Sequence, residues 1–136
     1  MTREELRKRI DIVEESYEFF LAYAARGLSG DGSDDEVRQY LHRTDEALSG
    51  LANGFTELVE QEKLSPAEPY HATIGVLERD AHAAQAAVQL VLAQSAIGSQ
   101  LIDNLNASIH VRALLTDLFL LDEVLKGDGR GALPPP

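Results

Sequence analysis

Apolar residues recur at alternating steps of four and three along most of the chain, which is the spacing of one face of an α-helix. Four such stretches follow one another, separated by short breaks rich in polar residues or glycine. The pattern predicts helices over approximately residues 3–26, 34–63, 66–95 and 99–126, and a flexible Gly/Pro tail over residues 128–136. We therefore expect an all-α protein with a single four-helix domain over residues 1–127.

Three of the four predicted helix starts carry recognisable capping residues. Thr2 and Ser33 each precede a glutamate by three residues, the arrangement of a capping box. Ser65 followed by Pro66 is typical of an N-cap and a first helical position. These signals place the starts of the first three helices within a residue or two.

The connections between the predicted helices are short, which favours antiparallel neighbours and an up-down-up-down four-helix bundle. The break over residues 95–99, with the sequence Ser-Ala-Ile-Gly-Ser, gives a weaker turn signal than the other two. One long bent helix across this break, within an intertwined dimer, therefore stays open as an alternative.

The predicted core faces carry almost no charge. Their members are Leu6, Ile10, Val13, Tyr17, Phe20 and Ala24; Val37, Leu41, Thr44, Leu48, Leu51, Phe55 and Leu58; Tyr70, Ile74, Leu77, Ala81, Ala84, Val88 and Val91; and Ile102, Leu105, Ile109, Ala113, Thr116, Leu120 and Val124. Gly50 and Gly54 lie one turn apart in the second helix, where each costs about 1 kcal/mol relative to alanine. A close helix–helix contact is the expected reason for them.

Two further apolar stripes lie outside these core faces. They consist of Ile12, Phe19 and Tyr23 in the first helix, and of Val111, Leu114, Leu118, Leu121 and Leu125 in the last. Because exposed apolar surface commonly marks an interaction site, we expect association through helices 1 and 4, with a homodimer, another protein or both as partner. A broad core face on a centrally packed helix is the alternative.

Composition narrows the classes of function. The chain has 136 residues, 12 Lys and Arg against 23 Asp and Glu, a net charge of −11 and no cysteine. The acidic balance argues against binding to nucleic acid, and the lack of cysteine excludes disulfides, thiolate zinc sites and a cysteine nucleophile. No run approaches the ~20 apolar residues of a membrane span and no signal segment is evident, so we expect no membrane contact and a cytoplasmic location.

One sequence pattern carries metal-binding chemistry. Glu68 and His71 form a Glu-x-x-His pair of the kind that ferritin-like di-iron bundles use, and Glu78 and His82 follow on the same helix. A second such pair is missing from the other helices, and the predicted core faces hold no carboxylate or histidine. We keep these four side chains as candidate metal ligands and predict no cofactor and no catalytic residue.

The first helix resembles that of AroQ-type chorismate mutases in its residues Glu4-Glu5-Leu6-Arg7-Lys8-Arg9-Ile10-Asp11 and in a later Arg26. The resemblance implies an all-helical enzyme that holds a dicarboxylate with Arg and Lys side chains. It ends at Gly27–Gly32, where the long first helix of that family continues, and Val37 stands near the place of its next cationic side chain. We therefore do not assign the chain to this family.

These patterns together predict a non-catalytic, acidic helical-bundle protein that acts as a protein–protein interaction, assembly or regulatory module. A ferritin-like metal-binding bundle without a complete di-iron motif is the alternative. A small metabolic enzyme or ligand-binding bundle comes third.

Overall fold

The computed structural model describes residues 1–30 and 35–127, and within these ranges the chain forms six helices and no strand. They are α1 (Arg3–Ala25), α2 (Asp35–Leu48), α3 (Leu51–Gln61), α4 (Ala67–Leu92), α5 (Ser99–Ala107) and α6 (Ile109–Gly127). The all-α prediction is confirmed, but the count of four helices is not, because the second and fourth predicted helices are each divided in two. The capping box at Ser33 and the tail over residues 128–136 lie outside the described residues.

Two of the three predicted capping signals fall within the described residues. The hydroxyl oxygen of Thr2 accepts a hydrogen bond of 3.1 Å from the backbone N–H of Glu5, so the N-cap of α1 is confirmed. At α4 the N-cap position is occupied by Pro66, which makes no side-chain capping bond, so the assignment of Ser65 to that position is wrong by one residue.

The second predicted helix is divided at Gly50, which has a φ of 72°, a left-handed conformation that glycine adopts without steric cost. The guanidinium of Arg9 on α1 donates to the carbonyls of Ala47 and Ser49 at 3.3 and 2.5 Å. A positive charge at this position stabilises the end of α2, because it meets the negative end of the helix dipole. Gly50 thus ends one helix and opens the next.

The close contact predicted for Gly50 and Gly54 is found at Gly54 but not at Gly50, where a Cβ atom would meet nothing within 4 Å. A Cβ atom at Gly54 would lie 2.6 Å from the sulfur of Met1 and 3.0 Å from a methyl carbon of Leu6. The contact is therefore internal, between α3 and the start of the chain.

The fourth predicted helix is divided at Ser108, which has an extended backbone and whose hydroxyl accepts a 3.3 Å hydrogen bond from the N–H of Val111. This break changes which residues face the core. α5 buries Ile102 and Leu105, in agreement with the predicted core face, whereas α6 buries a different stripe. The predicted core face followed one periodicity across Ser108. It therefore combined residues of two helices that are rotated relative to each other.

The other predicted core faces agree closely with the structure. All of the second face is buried, as is all of the third except Tyr70, and in α1 only Tyr17 and Ala24 are half-buried rather than buried. The buried side chains form two clusters, one around α1, α3, α4 and α6 and the other around α1, α2, α4 and α5.

The turn between α4 and α5 joins the loop between α1 and α2 at one end of the molecule. The N–H of Ser99 donates to the carbonyl of Leu28 at 2.8 Å, and the hydroxyl of Ser99 accepts from the N–H of Leu28 at 2.8 Å. The backbones touch because Gly30 and Gly98 lack side chains at the contact. α4 and α5 are therefore separate helices, and the alternative of one long bent helix is wrong.

Each long helix packs against both divided segments. α1 lies against α2 and α5, with a smaller contact to α3, and α4 lies against α2, α3 and α6. Among the described helices, none combines the length and the apolar character that crossing a membrane requires.

A candidate interaction groove between α4 and α6

The apolar stripe that we assigned to an interface on the last helix lies in the core instead. Leu114, Leu118, Leu121 and Leu125 are buried between α6 and its neighbours, and Val111 is half-buried against both clusters. Their assignment to an intermolecular interface is wrong, because the break at Ser108 turns this stripe of α6 inward.

The aromatic stripe on α1 is also used within the chain. Tyr23 is buried, and Phe19 stacks on Tyr40 of α2 with ring centroids 4.1 Å apart and planes 11° from parallel. The guanidinium of Arg43 lies 5.2 Å from the centre of the Tyr40 ring. Ile12 is half-buried against the core. The alternative of a broad core face therefore describes α1 correctly.

The exposed apolar residues of α6 belong to the stripe that we assigned to the core. Ile109, Leu120 and Val124 are 74%, 55% and 39% exposed, and the neighbouring Phe119 is 53% exposed. The last helix does carry more apolar surface than its core contact uses, as the sequence indicated. The exposed part is the stripe of Ile109, Leu120 and Val124, not the stripe predicted to form an interface.

Part of this surface lines a groove of about 290 Å³ between the start of α4 and the end of α6. We call it the α4/α6 groove. It is lined by Pro66, Pro69, Tyr70, Thr73, Leu120, Leu121 and Val124. Its base is fixed by packing, because Leu121 is buried and Leu77, one turn beyond Thr73, is fully buried. The groove is thus a preformed apolar depression in a strongly acidic molecule.

Two carboxyl groups, Asp80 of α4 and Asp117 of α6, face each other one to two turns beyond the apolar lining. Both side chains are half-buried. The pKa of Asp117 rises from an ordinary 3.8 to about 7, first because burial disfavours the charged form, and then through a hydrogen bond with Asp80 and repulsion by it.

The ionised form of this pair lacks a donor. The Oδ2 atom of Asp117 is buried and has no hydrogen-bond partner among the described residues. Of the ion pairs between described residues, none includes Asp80 or Asp117. A proton taken up by Asp117 supplies the missing donor and so adds to the effect of burial, which is the largest cause of its raised pKa.

Sequence reasoning missed Asp117 as a site residue, although helical spacing points to it. Asp117 lies three residues before Leu120 and four before Leu121, so it belongs to the boundary between the two apolar stripes of α6. Its partner Asp80 carries no comparable signal, because the packing of α4 against α6 brings the two together.

The candidate metal ligands do not converge. Glu68, His71, Glu78 and His82 are all exposed on α4. Within residues 1–30 and 35–127, no group of three or more His, Asp or Glu side chains is arranged to hold a metal ion.

A second cavity, of about 240 Å³, lies at the end of the molecule that carries the N-terminus. Its rim includes Arg3, Arg7 and Lys126, but these cations are engaged by carboxylates of the chain itself. Arg3 pairs with Glu62 at 2.8 Å, and Arg7 and Lys126 lie 2.7 and 3.5 Å from Asp122. The arrangement ties α1, α3 and α6 together through ion pairs.

Comparison with known protein families, with curated proteins and with solved structures finds no match to this chain.

Proposed function

We propose that this protein is a non-catalytic interaction module that binds another protein through the α4/α6 groove. The observation that carries the proposal is the groove itself, an apolar depression of about 290 Å³ with Leu120 and Val124 exposed along its edge. Contiguous exposed apolar surface on a small protein commonly serves as a binding site.

The groove is suited to a peptide or helix more than to a small molecule. Its two walls are formed by the helices α4 and α6, the geometry in which an amphipathic helix lays its apolar face on a partner. Phe119 stands on the outer side of α6, 53% exposed, where it extends the apolar surface beyond the groove. A rigid base beneath the lining lowers the ordering cost of binding.

We infer that the six helices act as four antiparallel segments in an up-down-up-down bundle, with α2 and α3 as one segment and α5 and α6 as another. The contacts of α1 with α2 and α5, and of α4 with α2, α3 and α6, support this arrangement. We propose that the protein acts in the cytoplasm. The chain has no cysteine and forms no disulfide, so its folding does not require an oxidising compartment.

The test is capture of partners by the immobilised full chain, with quantitative mass spectrometry. The groove variant carries Leu120→Ser and Val124→Ser. The control variant carries Leu21→Ser and Leu90→Ser, two exposed apolar residues outside the groove. We expect at least one protein that the wild type and the control variant capture equally and that the groove variant captures at least about fivefold less, a difference of about 1 kcal/mol.

Two outcomes contradict the proposal. Equal capture of every protein by the wild type and the groove variant would show that the groove does not bind them. Light scattering after size exclusion addresses a second copy of the chain: a dimer mass for the wild type that falls to a monomer mass in the groove variant would make the partner this chain itself.

A further inference from the structure

The two carboxyl groups lie beyond the apolar groove along the same two helices, α4 and α6. Thr73 and Asp80 are seven residues apart on α4, two helical turns along one face, and Leu121 lies one turn beyond Asp117 on α6. One turn corresponds to about 5.4 Å of rise. A bound chain that fills the apolar part therefore reaches the carboxyl groups within one to two turns if it continues along the same two helices.

The direction of the groove follows from three contacts between the helices. The start of α4 meets the end of α6 in the groove, Asp80 meets Asp117, and Ala84 and Val88 lie with Leu114 at another, smaller cavity. The helices are antiparallel, so the carboxyl pair lies at one defined end of the apolar lining.

We propose that the occupant of the α4/α6 groove is an amphipathic segment of another protein that carries a lysine or arginine about one turn from its apolar anchors, and that this cation pairs with Asp80 and Asp117. The inference rests on the proposed function of the groove. It adds the charge of the partner and the place where that charge binds.

Three observations favour a cationic partner. The two half-buried carboxyl groups have no ion-pair partner among the described side chains. An Oδ atom of Asp117 is buried without a donor. The chain carries a net charge of −11, which attracts a basic segment at long range and accelerates its association.

The same charges disfavour a second copy of this chain. Two copies that met through this groove would bring two Asp80–Asp117 pairs and two charges of −11 together. Like charges placed opposite each other oppose such an association.

The probe is a pair of synthetic amphipathic peptides of about 15 residues, long enough to form a helix when bound. The first has leucines at i, i+4 and i+7 and one lysine a turn beyond the last leucine. The second has glutamine in place of that lysine. Binding of each to the full chain is measured by calorimetry at about pH 8, where Asp117, with its pKa near 7, is mostly ionised.

We expect the lysine peptide to bind the wild type about tenfold more tightly than the glutamine peptide, a difference of about 1.4 kcal/mol. In the variant Asp80→Asn/Asp117→Asn this preference falls below about twofold. The matched control Glu60→Gln/Asp103→Asn removes two exposed carboxylates elsewhere and keeps the tenfold preference.

The inference is overturned if the two peptides bind the wild type equally, if neither binds, or if the paired asparagine variant keeps the preference. The groove variant Leu120→Ser/Val124→Ser separates this failure from that of the proposed function. If the groove variant binds neither peptide and the asparagine substitutions have no effect, the groove is still a binding site and only the proposed cation contact is wrong. If the groove variant binds both peptides as tightly as the wild type does, the groove is not the binding site and the proposed function is wrong.

Discussion

The hydroxyl of Tyr23 donates a 2.6 Å hydrogen bond to the backbone carbonyl of Ile97, and both residues are buried. The bond joins the end of α1 to the turn between α4 and α5. Ser99 reinforces it, because its hydroxyl donates to the carbonyl of Tyr23 at 2.6 Å and accepts from the N–H of Leu28. Two loops far apart in the sequence are thus held together by buried polar contacts.

Replacement of Tyr23 by phenylalanine tests the first of these bonds. We expect Tyr23→Phe to lower the free energy of unfolding by about 1–3 kcal/mol, because the buried carbonyl of Ile97 is left without a donor. Urea unfolding followed by circular dichroism gives the measurement. Tyr70→Phe is the control, since the Tyr70 hydroxyl makes no hydrogen bond with the described residues, and it should change stability by less than about 0.5 kcal/mol. Equal effects of the two substitutions would contradict the role of the bond.

The two loop glycines give a second prediction. A Cβ atom at Gly30 would lie 2.7 Å from the backbone of Ile97, and one at Gly98 would lie 2.9 Å from the carbonyl oxygen of Leu28. Backbone atoms cannot move aside as a flexible side chain can, so Gly30→Ala and Gly98→Ala should each destabilise the protein by about 2 kcal/mol or more.

Gly75 supplies the opposite case for comparison. It lies within α4, and a Cβ atom there meets nothing within 4 Å. Gly75→Ala should therefore raise stability by up to about 1 kcal/mol through helix propensity alone. The same urea unfolding experiment compares all three substitutions. A stabilising effect of alanine at Gly30 or Gly98 would show that the loops are not in close contact.

The third prediction concerns the two stripes of α6. Leu118 is fully buried and Leu120 is 55% exposed. Leu118→Ala should lower the free energy of unfolding by about 2–5 kcal/mol, because it removes buried methyl groups and leaves a cavity. Leu120→Ala should change it by less than about 0.5 kcal/mol. A larger loss of stability for Leu120→Ala than for Leu118→Ala would show that the stripe containing Leu120 forms the core, as the sequence pattern predicted.

The sequence predicted the core faces of α1, α2, α3 and α4 because each face is a periodic run of apolar residues within a single helical phase. The division at Gly50 did not disturb this, since the buried set continues through it from Leu48 to Leu51. The division at Ser108 did, because the periodic run from Leu105 to Ile109 continues across a change of helix direction. Spacing alone does not reveal where a helix ends if the apolar pattern persists.

The candidate groove was only partly predictable. The sequence indicated more apolar surface on the last helix than one core requires, and Leu120 and Val124 are exposed there. It did not indicate which stripe is exposed, nor that Asp80 faces Asp117, because both facts depend on how α6 packs against α4. Pairings between helices are properties of tertiary contact, whereas periodicity describes one helix at a time.

The last prediction follows from the raised pKa of Asp117. Its pKa is about 7 in the folded protein against an ordinary 3.8, so between these values the folded state holds a proton that the unfolded state has released. The stabilising effect of this proton is fully present below about pH 4 and is lost as the pH rises through about 7. The wild type should therefore be less stable at pH 8 than at pH 5 by this contribution.

Asp117→Asn removes the titration and keeps the shape of the side chain. At pH 8 the variant should be more stable than the wild type by about 1 kcal/mol, since the side chain is only half-buried and solvent screens part of the repulsion. At pH 5 this advantage should be less than half as large, because the folded wild type still holds the proton there, although the unfolded chain has released it. Urea midpoints at both pH values measure this, and Asp103→Asn, at an exposed site on α5, controls for the loss of one charge.

Glu14 also has a raised pKa, from burial and then from Asp11, but it is present in both proteins and cancels in the difference. A difference between wild type and variant that does not change with pH would show that Asp117 carries no proton near neutrality.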